Sequence, residues 1–152
     1  MKKLFYYLFA TVLCCGFVAC DTEDNSGASG GNYSKSDLVG HWQNVSYKNS
    51  GTTGEEISFK NNSAVVYEAY RYKGDEEQEV IAKGTYTLDG DVISISYNDV
   101  SVYTSDDSNK FWGFTNKKSR KVNYTIKSIN GTRMKVTDDS GKQIEFEMYK
   151  SI

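Results

Sequence analysis

The sequence predicts an all-β domain, eight antiparallel strands in up-and-down order closed into a barrel, and three observations carry that prediction. The first is alternation. In "VNYTIK", residues 122–127, Val122, Tyr124 and Ile126 face one way and Asn123, Thr125 and Lys127 the other. In "QIEFEM", residues 143–148, Ile144, Phe146 and Met148 oppose Gln143, Glu145 and Glu147. A hydrophobic period of two marks strands with one buried face. The second observation is turn chemistry: "NN" at 61–62, "DGD" at 89–91, "NG" at 130–131 and "DSGK" at 139–142 separate the strand-like runs. Asn-Gly and Asp-Gly supply the positive φ that tight hairpins need. The third is the complete absence of proline, so no strand loses a ladder donor.

The chain opens with a segment outside the barrel. Lys2 and Lys3 precede "LFYYLFATVLCCGFVA", residues 4–19, an uncharged apolar run of 16 residues that ends in the small Ala19. This is the layout of a secretory signal peptide, and the run is shorter than the roughly 20 residues a stable transmembrane helix needs. Residues 1–19 are therefore expected to be removed. Residues 20–36 follow as a linker: Cys20, then the acidic Asp21, Glu23 and Asp24, then "NSGASGGNYSKS" at 25–36. Gly/Ser-rich sequence of this kind is a flexible tether. Residues 37–152 are left for one ordinary domain.

Within that domain the strands are expected at about 41–48, 55–60, 63–72, 79–88, 92–97, 121–129, 133–138 and 143–150. Closing such a meander removes exposed edges, and eight strands leave an interior that side chains or one small ligand can fill. A two-sheet sandwich is the alternative, but it needs longer Greek-key crossovers. A transmembrane barrel would turn an apolar face outward, whereas the outward residues here are Lys, Glu, Thr and Asn.

Composition excludes several functions. The formal charge is −2, and −4 once Lys2 and Lys3 leave with the signal peptide, so a nucleic-acid footprint is absent. Cys14, Cys15 and Cys20 all lie at or before residue 20, so the mature domain holds no internal disulfide. His41 is the one histidine, which removes Cys/His zinc sites and makes a Ser-His-Asp triad a poor reading. The acidic groups at 75–77 and 106–107 lack calcium-loop spacing and read as solvated turns. No metal, no cofactor and no enzymatic activity are expected.

Residues 98–120, "NDVSVYTSDDSNKFWGFTNKKSR", are too long for a hairpin turn and hold the densest aromatic and basic clusters. Loops of this length in compact domains are often lids or binding loops. Phe111, Trp112, Phe114, Lys117 and Lys118 are the candidates for a surface that holds a lipid interface, a glycan or a partner protein. The competing reading has Val100, Val102 and Tyr103 lengthening the fifth strand and Phe111 and Phe114 packing at the start of the sixth. Both stay open from the sequence.

Two resemblances add to this. "FVAC", residues 17–20, resembles the lipobox of bacterial lipoproteins, although Phe17 stands where that family prefers an aliphatic residue. It implies that Cys20 is freed by the lipoprotein signal peptidase and acylated with chains such as palmitate, which anchor stably when two or more insert at about 0.8 kcal/mol per methylene. Acidic residues after that cysteine resemble an outer-membrane surface-export signal in some bacteria and an inner-membrane retention signal in others; the cell envelope, with the outer membrane preferred, is the expected location.

The second resemblance covers nearly all of 38–152. "LVGHWQNVSY" at 38–47, "KGTYTLDGDVISISY" at 83–97, "YTIKSINGTRMKV" at 124–136 and "IEFEMYK" at 144–150 resemble bacterial lipocalin-like domain lipoproteins. Gly40 and Trp42 would be the Gly-x-Trp motif, with the indole plugging the closed end of the barrel. The resemblance implies a small hydrophobic or amphipathic ligand inside the barrel. Tyrosines bring an apolar body and a polar tip to such a cavity, so Tyr67, Tyr86, Tyr97 and Tyr124, with Asn44 and Phe146, are the candidate ligand residues; the same rings would also serve to fill a dry core. Asn44 is either a polar spot in a cavity or turned outward by a bulge. The expected function is thus an envelope lipoprotein whose barrel binds a small ligand. The alternative is a surface module that binds a glycan or protein through 98–120.

Overall fold

The computed structural model describes residues 33–48, 51–106 and 108–150. The expected signal peptide and Cys20 lie outside the described residues. A one-turn helix, α1 (Lys35–Leu38), leads into β1 (Gly40–Lys48), β2 (Gly51–Phe59), β3 (Ala64–Lys73), β4 (Glu76–Asp89) and β5 (Val92–Thr104). A two-stranded ribbon follows, β6 (Lys110–Phe111) and β7 (Phe114–Thr115), and then β8 (Arg120–Asn130), β9 (Arg133–Asp138) and β10 (Gln143–Lys150). The eight long strands close in the order β1-β10-β9-β8-β5-β4-β3-β2. Each pairs antiparallel with its neighbours, and β1 meets β10 to complete the ring. This is the up-and-down barrel that alternation and turn chemistry predict.

Two features depart from the expected elements. Helix α1 falls in a stretch that reads as Ser-rich linker. Ser34 N–H donates to Asp37 Oδ2 at 2.7 Å and Asp37 N–H donates back to the Ser34 carbonyl at 3.1 Å, which satisfies donors that a helix start leaves free. Strands β4 and β5 run longer than their hydrophobic pattern, since Glu76 and Glu77 are exposed yet pair with Lys73 and Tyr72 through the backbone. Ladder pairing does not need a buried face, so alternation understates strand length.

The barrel is plugged at one end. Trp42 is fully buried, and its Nε1–H donates to the Leu38 carbonyl at 2.7 Å, which ties the β1 indole to the helix lying across the opening. Tyr86 meets Phe59 edge to face at 4.9 Å and its hydroxyl donates to the Lys60 carbonyl at 3.0 Å. Lys35 Nζ donates to Ser63 Oγ at 2.6 Å, which fixes the helix to the β2–β3 turn. Above this plug Ile57, Val65, Ile93, Ile95, Met134 and Phe146 fill the interior with side chains. Curvature comes from bulges, one of them between Lys83 and Gly84. A Cβ on Gly84 would lie 2.0 Å from the Ser96 carbonyl oxygen, so the two backbones approach this closely because the residue has no side chain.

The other end is built differently. Strand β5 pairs with β8 from Val92↔Thr125 to Tyr97↔Arg120, but continues with β4 as far as Gln78↔Thr104. Above Tyr97 the barrel wall is therefore split. The ribbon fills the split: Lys117 N–H donates to the Val100 carbonyl at 2.9 Å, and Asn116 Oδ1 accepts from Val102 N–H at 3.3 Å. Residues 98–120 thus combine a lengthened fifth strand with a short hairpin that covers the freed edge.

Replacing Trp42 by alanine removes the plug and orphans the Leu38 carbonyl. The expected loss is about 3–5 kcal/mol of unfolding free energy, read as a lower midpoint in equilibrium urea denaturation. Trp42→Phe is expected to cost less, since it keeps most of the buried ring area.

Candidate functional site

The split mouth holds a half-open cleft of about 420 Å³. Its floor is formed by Glu55, Tyr67 and Tyr124, one wall by Trp112, Phe114 and Arg120, and the opposite rim by Asp138, Asp139 and Lys142. Alternation explains the floor. Ile57 and Phe59 of β2 face inward, so Glu55, two residues earlier on the same face, points inward as well. It is 3% exposed. Arg120 stands in the same relation to the inward Val122 and Tyr124 of β8.

Glu55 is held by neutral donors. Tyr67 donates its hydroxyl to Oε2 at 2.9 Å, and Asn44 Nδ2 donates to Oε1 at 3.4 Å. Among the described residues no lysine or arginine nitrogen forms an ion pair with it. Asn44 is the cross-strand neighbour of Glu55. Tyr67 stacks on Phe114 with ring centroids 5.3 Å apart, and Tyr97 meets Phe114 edge on at 5.4 Å. The Tyr97 hydroxyl is buried without a hydrogen-bond partner.

These phenols are strongly perturbed. Burial pushes the Tyr67 phenol well up, with the Glu55 carboxyl adding to the shift. Burial raises Tyr124 as well, with Glu55 adding and the Arg120 guanidinium opposing, and Tyr97 rises chiefly through burial. On the rim, Asp138 is held below the usual carboxylate range by hydrogen bonds from Ser140 and from the Lys142 N–H. Asp139 accepts from the Asn123 N–H at 2.9 Å and from its side-chain amide at 3.2 Å. Both rim aspartates are committed to local structure.

The ribbon is held by two arginines. Arg120 lies over the Phe114 ring at 4.3 Å and donates from Nη1 to the Trp112 carbonyl at 2.9 Å. Arg71, two residues beyond the inward Ala69 of β3, lies 5.6 Å from the Phe111 ring and 5.9 Å from that of Trp112. Trp112 and Gly113 both adopt positive φ, 53° and 77°, as a tight turn between β6 and β7 requires.

Of the residues singled out from the sequence, Tyr67, Tyr124, Trp112 and Phe114 line this cleft, Asn44 reaches it through Glu55, and Tyr97 packs behind Phe114. Tyr86 and Phe146 do not: Tyr86 closes the plugged end, and Phe146 is buried core. Gly40 opens β1 opposite Phe59, and Trp42 is the structural plug described above. Phe111 and Phe114 are 6% and 3% exposed, so two of the three rings expected on an exposed surface pack inward, drawn there by the apolar cover the split wall needs. Lys117 and Lys118 remain exposed beside a half-buried Trp112. The interior below Glu55 is occupied by side chains, which moves any ligand volume to the mouth. Among the described residues no three His, Cys, Asp or Glu side chains converge on a metal site.

Sequence reasoning missed Glu55 and Arg120. Their signal was parity: each lies two residues before an inward apolar residue, on the inner face of its strand. A family model, the lipocalin-like domain, matches residues 38–136. That span runs from the end of α1 into β9 and includes Gly40, Trp42, Glu55 and Arg120. No curated protein matches the chain.

The buried phenols give a pH dependence of known sign. In the unfolded chain they ionise near pH 10, about the ordinary tyrosine value; the folded barrel holds Tyr67, Tyr97 and Tyr124 neutral beyond it. Above that pH the unfolded state binds fewer protons than the folded one, so stability is complete below it and falls as pH rises. Alkaline unfolding is expected to release these phenols together, as a cooperative rise in tyrosinate absorbance. Tyr97→Phe is expected to flatten the slope and, by deleting an unsatisfied buried hydroxyl, to leave neutral-pH stability unchanged or raised by about 1 kcal/mol.

Proposed function

The chain belongs to the lipocalin-like domain family, and from that premise we propose that its barrel binds one small amphipathic molecule at the mouth opposite Trp42. The observation that carries this reading is the cleft itself: about 420 Å³ with aromatic walls and a polar floor. Ligand sites commonly enclose roughly 300–1,000 Å³ and combine apolar lining with a few placed polar groups. Tyr67, Tyr124 and Phe114 supply apolar contact. Glu55 and the phenol hydroxyls of Tyr67 and Tyr124 supply orientation. The plugged end acts as scaffold, since Trp42 and α1 leave the ligand one way in. The role is binding rather than catalysis.

Native mass spectrometry of the protein isolated gently from its own host is expected to show a stoichiometric small molecule. A double substitution, Trp112→Ala with Phe114→Ala, is expected to lose that mass while the barrel's circular dichroism is retained. An unliganded mass from both proteins would remove the reading.

We further propose that the domain works tethered to the bacterial envelope through acyl chains on Cys20, with the outer membrane as its address. The lipobox-like "FVAC" and the Gly/Ser-rich segment behind it support this. Cys20→Ala is expected to move the protein from the membrane fraction to the soluble fraction and to abolish incorporation of labelled palmitate. An unchanged distribution would overturn the tether and leave the ligand reading intact.

A further inference from the structure

Glu55 presents a chemical problem that points to the kind of molecule the cleft takes. A carboxylate buried in a barrel is costly unless a cation or several hydrogen bonds compensate it. Here the partners are a phenol and an amide, both neutral, one on each oxygen. A carboxylate offers about four acceptor positions, so two remain open toward a cleft that Glu55 itself lines.

The surroundings of those open positions are uniform in character. Tyr67, Tyr97 and Phe114 contact one another ring to ring at 5.3–5.9 Å, and Tyr124 lines the same floor. Aromatic faces carry negative potential and attract organic cations, most strongly where water is excluded. An ammonium group has three N–H donors and no acceptor, which suits a carboxylate with open acceptor positions set among π-faces.

The charged groups around the cleft fit the same reading. The cation nearest the floor, Arg120, is engaged by the Phe114 ring and the Trp112 carbonyl, and so serves the ribbon. Asp138 and Asp139 offset Lys121 and Lys142 at the rim. An anionic ligand would have to bring its charge against Glu55.

Building on the reading of the mouth as the binding site, we propose that its ligand is a small organic cation, a primary ammonium on an apolar body, with the ammonium held by Glu55 among the aromatic faces of the floor and the body between Phe114, Trp112 and the cleft rim. Glu55 then serves as the specificity-determining residue of the site.

Isothermal titration of the purified full chain with octylammonium, octanol and octanoate tests this. These probes share one apolar body and differ in the polar end. Octylammonium is expected to bind at least tenfold tighter than either of the others. Glu55→Gln is expected to erase that margin. Equal affinity for all three, or tighter octanoate, would overturn the inference while the mouth stands as a binding site. A margin that survives in a folded Glu55→Gln would also overturn it. Binding of none of the probes would overturn the inference and remove support from the site itself. Should Glu55→Gln fail to fold, the ranking on the unaltered protein decides alone.

Discussion

Closure of the barrel is the constraint from which the rest follows. When β1 meets β10 at His41, Trp42 and Gln43, the eight strands close into a ring, but the tube that results has two mouths. A small domain with no disulfide among its described residues has to exclude water from both by packing. At one mouth a single indole does so, anchored by one hydrogen bond to a one-turn helix. At the other the solution is looser: a ribbon laid into a split between β5 and β8, satisfying the freed β5 edge at Val100 and Val102. The plugged end is dry and apolar, whereas the split end leaves room for polar groups.

That asymmetry sets the electrostatics. Glu55 and Asn44 sit at the level where the packed interior gives way to the split mouth, so their side chains are desolvated yet border a cleft. Arg120 enters from the opposite strand but is spent on the ribbon, over Phe114 and against Trp112. The barrel thus carries a carboxylate and an arginine at one mouth with no direct ion pair between them among the described residues. The separation keeps Glu55 open toward the cleft rather than neutralised within the fold.

Much of the architecture was legible in the sequence because its determinants are local. Alternation in "VNYTIK" and "QIEFEM" fixed two strands and their inner faces; Asn-Gly at 130–131 and Asp-Gly at 89–90 placed two turns. Trp42 is buried where α1 meets the barrel. What stayed hidden depends on which strand faces which. The burial of Phe111 and Phe114 follows from β5 outrunning β8, and no run of letters states where two strands part. Helix α1 is a single capped turn in a Ser-rich segment, held by the barrel it covers rather than by propensity. Glu55 was legible in principle, since Ile57 and Phe59 fix its parity, but a charged residue at a strand start reads first as solvated.

Glu55 also bears on why the domain keeps such a mouth at all. An apolar residue at this position would pack against Tyr67 and Ala69 without desolvating a charge, and replacing buried ionic groups by hydrophobic ones of similar size is often neutral or stabilising. The phenol of Tyr97, buried and unpartnered, is a second departure of the same kind, worth roughly 1–3 kcal/mol in lost solvation. Natural sequences that are otherwise consistent across patterning, turns and packing concentrate such departures at functional sites. Here both lie on the inner face of one mouth, within a single aromatic cluster; a further unpartnered polar atom, Thr137 Oγ1, lies on β9 outside it. A barrel selected for stability alone would treat its two ends alike. This one treats them differently at the cleft, which is where a ligand's own polar group can complete what the fold leaves open.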